Sequence, residues 1–130
     1  MRRDTVLSPR FANHLLRESY KNGHRFHIYL SGPMTGLPDY NRPAFARVAE
    51  ELRAQGKAVF NPGEIGPTEN IMPRAWYMRR DLEALMKSDS VYVLPGWGES
   101  EGAKLEIAIA KELELPIIFT TTPNAKEVKT

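Results

Sequence analysis

The sequence predicts a three-layer αβα domain, flavodoxin-like or Rossmann-like, built on a mainly parallel sheet of four or five strands. Three observations carry that prediction. From residue 26 onward, short apolar runs alternate with helix-length amphipathic segments, and parallel strands need such helical crossovers. Three successive apolar runs end in residues suited to tight turns: Ser31-Gly32-Pro33, Asn61-Pro62-Gly63 and Pro95-Gly96-Trp97-Gly98. The length of 130 residues corresponds to one domain large enough for its own core.

Residues 1–25 read as an N-terminal helical extension and residues 26–130 as the α/β domain. In the extension, Ser8-Pro9 starts a helix, Phe11, Ala12, Leu15, Leu16 and Ser19 share a face, and Asn22-Gly23 ends it. The first strand is "FHIYL" (26–30), where a period of two sets Tyr29 on one face with His27. Residues 40–56 follow as a helix with Phe45, Val48, Ala49 and Leu52 on its stripe, stopped at Gly56. "AVF" (58–60) is the second strand. A second helix over 74–88 groups Met78, Leu82, Leu85 and Met86, and "SVYVL" (90–94) is the third strand. The last helix, over 100–115, groups Ala103, Ile107, Ala110 and Leu113 and leads into "PIIF" (116–119).

Composition narrows the function classes. Hydrophobic content of 42% and charged content of 26% are ordinary for a globular protein, and no stretch reaches the roughly 20 apolar residues of a membrane span. Arg2 and Arg3 are followed by no apolar segment, so no secretory signal is read there. Cysteine is absent, which excludes disulfides and thiolate chemistry and fits a reducing compartment; the expected location is the cytoplasm. The net charge of +2 is uneven: Arg2, Arg3, Arg10, Arg17, Lys21 and Arg25 against Asp4 and Glu18 give the extension +4 and leave −2 elsewhere. Those charges form no dense block and no reading helix, so nucleic acid is not an expected partner, and neither is a membrane. His14, His24 and His27 lack ligand spacing, and no metal is expected.

Open α/β sheets bind ligands outside the carboxyl ends of their strands, which makes the three turns the places to search. "SGPMTG" is neither a Walker A loop nor a G-x-G-x-x-G loop, yet its backbone could face an anion or a sugar, with Thr35, Asp39 and Tyr40 as polar neighbours. Tyr29, next to a strand end, is either a core aromatic or a hydroxyl presented to the site. Trp97 either stacks on a base or covers the core edge. Ser100 stands at the N-cap of the last helix, with Gly102 in its first turn and Glu106 one turn further in.

Two carboxylates stand apart from the solvated stripes of their helices. Glu106 has Gly102, Ala103, Ile109 and Ala110 as its i±3 and i±4 neighbours, and Asp81 has Tyr77, Met78, Ala84 and Leu85. Both therefore face inward, where each is either a hydrogen-bonded structural group or one held for chemistry with a shifted pKa. Two such groups on one cleft can divide labour as nucleophile and acid in glycosidic chemistry.

The blocks "IYLSGPMTG", "NPGE", "YMRRDLEALMKSDSVYVLPGW" and "SEGAKLEIAIA", the last with Ser-x-Gly-x-x-x-Glu spacing, resemble the nucleoside 2-deoxyribosyltransferase-like family, including its small phage and bacterial members. The resemblance spans residues 26 to 120. It implies that Glu106 is the nucleophile and Asp81 the acid assisting the nucleobase, and it groups Tyr29 with these catalytic residues. It further implies that Gly32, with Tyr29, borders the sugar and that Ser100 contacts a 5′-hydroxyl or phosphate. Pro33 and Thr35 stand where members acting on monophosphates carry Ser and Arg, and Arg79 and Arg80 are either replacement cations or surface charges.

The expected function is transfer or hydrolysis of the N-glycosidic bond of 2′-deoxynucleosides or their 5′-monophosphates through a covalent glycosyl-Glu106. The alternative is a non-catalytic nucleotide-binding protein that uses the same cleft to sense or sequester. Expected contacts to the nucleoside or nucleotide come from Gly32, Pro33, Thr35, Asp39, Tyr40, Asn61, Trp97, Ser100 and Gly102. No cofactor is expected, and the resemblance implies a homo-oligomer of two or more copies.

Overall fold

The four apolar runs become four strands in a computed structural model that describes residues 25–66 and 72–120. These are β1 (Phe26–Ser31), β2 (Val59–Phe60), β3 (Ser88–Val93) and β4 (Ile117–Phe119). All neighbours pair in parallel, in the order β2-β1-β3-β4. The helix expected from Ser8 lies outside the described residues, as does the rest of the extension before Arg25. The crossovers carry three helices: α1 (Arg42–Ala54), α2 (Arg74–Met86) and α3 (Glu101–Glu112).

Helices cover both faces of the sheet, which gives the three-layer Rossmann-like fold. On one face α1 sets Phe45, Ala49 and Leu52 against Ile28, Leu30, Val59 and Leu94. On the other, Ala84 and Leu85 of α2 and Ile107 and Ala110 of α3 close over Tyr29, Phe60, Val91 and Val93. Burying each large apolar side chain contributes roughly 1.5–3 kcal/mol, so the side-chain alternation of β1 and β3 largely decides which helix packs where.

Three local expectations are corrected. His27 does not share the buried face of Tyr29: the amides of His27 and Ile28 both reach the Ala58 carbonyl, at 2.8 and 3.2 Å, a bulge-like step that breaks the alternation. Phe26 takes the inner place and meets Phe60 edge-on, while exposed His27 accepts from the Ala58 amide through Nδ1. Met86 and Leu113, assigned to core stripes, stand at the ends of their helices and are 57% and 45% exposed. Ser88, expected as the tail of α2, opens β3, and its hydroxyl donates to the Ala84 carbonyl at 2.8 Å. That bond satisfies one of the carbonyls that a helix end leaves unpaired.

The chain leaves β1 for β2 on one side and returns to β3 on the other, so the order reverses between β1 and β3. Such a reversal opens a crevice beyond the carboxyl ends of the two strands. Gly32 makes the close packing there possible: a Cβ at this position would lie 2.8 Å from the Cβ of Leu94. The Leu94 amide then bonds the Ser31 carbonyl at 2.8 Å and ties the two strand ends together.

Candidate active site at the reversal of the sheet

Alternate residues of β1 face α2 and α3, and the last two of them carry hydroxyls. Glu106, in the second turn of α3, meets both. The Tyr29 hydroxyl donates to Oε2 at 2.9 Å and the Ser31 hydroxyl donates to Oε1 at 2.6 Å. Tyr29 is fully buried, Ser31 is 1% exposed and Glu106 is 6% exposed. The ring of Tyr29 also stacks on Phe60, with centroids 5.5 Å apart, so the hydroxyl is held from behind by the core. Tyr29 is thus both a core aromatic and a partner of the carboxylate.

Burial raises the pKa of Glu106 to about 7, against the opposing pull of the Ser31 and Tyr29 hydrogen bonds. Asp81, half-buried on α2, is pushed well above the usual carboxylate range by burial and then by the charge of Glu106. No donor reaches its side chain among the described residues. The Tyr29 hydroxyl is itself raised, by burial first and then by Asp81 and Glu106, so it remains a donor at every ordinary pH. The site therefore pairs one carboxyl held by two hydroxyls, Glu106, with one that receives no donor among the described residues, Asp81, and burial raises the pKa of both. An arrangement of this kind can act as nucleophile or base on one side and as proton donor on the other.

Both groups line a cavity of about 900 Å³. Gly32, Thr35, Tyr40, Ser100 and Gly102, all expected at the site, line it too. Ser100 is the N-cap of α3, accepting from the Ala103 amide at 3.1 Å, which leaves its O–H available to a ligand. Gly102 leaves the first turn bare, the nearest side chain to a Cβ there being Met78 at 3.9 Å. Tyr40 reaches the cavity from a left-handed turn in which Asp39, Tyr40 and Asn41 have φ of 51, 53 and 60°. The turn is held by the ion pair of Arg42 with Asp39 and by Asn41 Nδ2, which donates to the Pro33 carbonyl at 2.9 Å.

Pro33, Asp39, Asn61 and Trp97 fall outside the cavity lining, each engaged elsewhere. Pro33 supplies the carbonyl just described and Asp39 pairs with Arg42. Asn61 accepts from the Gly63 amide at 2.8 Å and so caps the turn after β2. Trp97 packs on Phe119, with ring centroids 5.5 Å apart. Neither Arg79 nor Arg80 lines the cavity, and the Arg80 guanidinium lies 3.9 Å over the Trp76 ring.

Several lining residues escaped the sequence reading. Arg74, at the start of α2, is the sole cation of the lining among the described residues. Met34, Met72, Met78 and Tyr77 supply an apolar wall, and Tyr77 is fixed by accepting from the Met72 amide at 3.0 Å. Gly66 leaves room for that ring, since a Cβ there would lie 2.6 Å from it. Ser31 was read as the first residue of a turn, although its spacing of two from Tyr29 was the available signal. Among the described residues no group of three His, Asp or Glu side chains could hold a metal, and no helix is long and apolar enough to cross a membrane.

The fold and the site define a parallel α/β domain with paired carboxyl groups in a cavity at its sheet reversal. Residues 26–119 match the family described as "Domain of unknown function (DUF4406)", and the chain belongs to that family. No curated protein and no solved structure matches it.

Proposed function

We propose that the protein cleaves the N-glycosidic bond of 2′-deoxynucleosides or their 5′-monophosphates and passes the deoxyribosyl group to another base or to water. The observation that carries this reading is the asymmetry of the two carboxyl groups: Glu106 holds two hydrogen-bond donors and Asp81 holds none among the described residues. The resemblance of the chain to nucleoside 2-deoxyribosyltransferase-like proteins supports it.

In the first step an oxygen of Glu106 forms a bond to C1′ as the C1′–N bond breaks, and the departing base takes the proton of Asp81. In the second, a nitrogen of an incoming base or a water molecule attacks C1′ and releases Glu106, and Asp81 recovers a proton from that attacker. Ser100 and the backbone after Gly32 border the sugar, Met34, Met72 and Met78 accommodate the flat face of the base, and Arg74 meets a 5′-phosphate where one is present.

The test is incubation with each deoxynucleoside and each monophosphate, with and without a second free base, followed by chromatography. Base exchange identifies a transferase and free deoxyribose a hydrolase. Binding without turnover in the native chain would replace the enzyme by a nucleotide sensor, and full activity in Glu106→Ala would remove Glu106 as the nucleophile.

A further inference from the structure

Ser31 contributes nothing to the cavity wall, yet it makes the shorter of the two bonds to Glu106, 2.6 Å against 2.9 Å from Tyr29. Its backbone belongs to the pairing of β1 with β3, and its carbonyl accepts from Leu94. The side chain has Glu106 as its partner and is 1% exposed, so no water competes for that hydroxyl. A buried O–H beside a carboxylate forms a charge-assisted bond, which is shorter and stronger than a neutral one.

We propose that Ser31 is a positioning residue acting through Glu106: its hydrogen bond fixes Oε1 and favours the charged form of that carboxyl. The catalytic consequence rests on the glycosidic reading above, whereas the hold on Glu106 does not. The groups that face Glu106 are Tyr29 and Ser31 from β1 and Asp81 from α2, with Arg74 on α2, Glu99 before α3 and Glu101 on α3 elsewhere in the lining. Of these only the two hydroxyls bond to it, and of the two Ser31 opposes burial the more strongly. When an oxygen of Glu106 bonds to C1′ and the C1′–N pair leaves with the base, the other oxygen becomes an ester carbonyl that still has a hydroxyl donor. That donor polarises the ester and eases departure of Glu106 in the second step.

The experiment compares the full chain with Ser31→Ala, Ser31→Thr and Ser31→Cys. Glu106 is titrated directly by NMR of protein labelled at the Glu side-chain carboxyl carbons, with Glu106→Gln assigning the signal, and the pH profile of base exchange is measured alongside. Losing one such bond moves a carboxyl by about one to two pH units. We expect Ser31→Ala to raise the midpoint of Glu106 by that amount and, from a starting midpoint of about 7, to lower kcat at pH 7 by about 5- to 50-fold. That loss recovers at alkaline pH, KM changes little, Thr restores both readings and Cys, a weaker donor of similar size, falls between.

An unmoved midpoint in Ser31→Ala would overturn the proposal, as would a rate loss equal at every pH. If Ser31→Ala does not fold, an unmoved midpoint in Ser31→Cys has the same force. A raised midpoint with no exchange activity in any form, native included, leaves Ser31's hold on Glu106 standing and removes the glycosidic reading instead.

Discussion

At the scale of single residues, removing the charge of Glu106 tests the chemistry most directly. Glu106→Gln keeps the size of the side chain and is expected to lower base exchange by roughly three orders of magnitude or more, because the attacking oxygen is lost. Asp81→Asn keeps Glu106 and loses only the proton donor, so a smaller loss of about 10²–10⁴ is expected, measured as single-turnover release of base. Both acids were legible in the sequence because helical spacing alone separates an inward carboxylate from a solvated one. Asp39 and Asn61 were not separable in this way: each is polar and near a strand end, but each is used by a backbone or side-chain neighbour within three residues. Ser31 was hidden for the opposite reason, since a serine before Gly-Pro reads as a turn whether or not its hydroxyl has a distant acceptor.

At the scale of elements, α1 and α3 each have one decisive contact. Phe45 is fully buried and also lies against the Gly32 turn, 3.3 Å from where a Cβ would stand. Phe45→Ala is expected to cost about 3–5 kcal/mol, read from urea denaturation, and to loosen that turn as well. Ser100 caps α3, so Ser100→Ala is expected to lower stability by about 1 kcal/mol while Ser100→Asp retains it; equal losses in the two would exclude the cap as the cause. Helix positions were readable because periodicity and caps are local signals. The bulge-like step at His27 was not, because it depends on where Ala58 of the neighbouring strand offers its carbonyl.

At the scale of the whole molecule, a raised carboxyl pKa makes stability depend on pH. An unfolded Glu ionises near 4.5, whereas Glu106 in the folded protein ionises at about 7. Between these values the folded state binds more protons than the unfolded one, so the free energy of unfolding falls as pH rises through this window and levels off above it. Glu106 contributes a decline of roughly 3 kcal/mol, and Asp81, also raised, contributes in the same direction. Urea melts at pH 5 and pH 8 check the sign, and Glu106→Gln should shrink the difference; a stability that rises between these values for this site, or a difference indifferent to the substitution, would contradict the assignment. The three-layer architecture itself was legible, since alternating apolar and amphipathic segments leave few other arrangements. The cavity was legible only in outline, because Arg74 and the three methionines reach it through chain direction and packing.

The clamp of Tyr29 and Ser31 on Glu106 joins residues 77 and 75 positions apart in the chain. A slip of β1 by one residue would turn both hydroxyls towards α1 and strand the carboxyl among apolar side chains. The same three side chains thus discriminate against misaligned strands during folding: only the correct register gives Glu106 its partners, and the protein that has assembled its site has also verified its sheet.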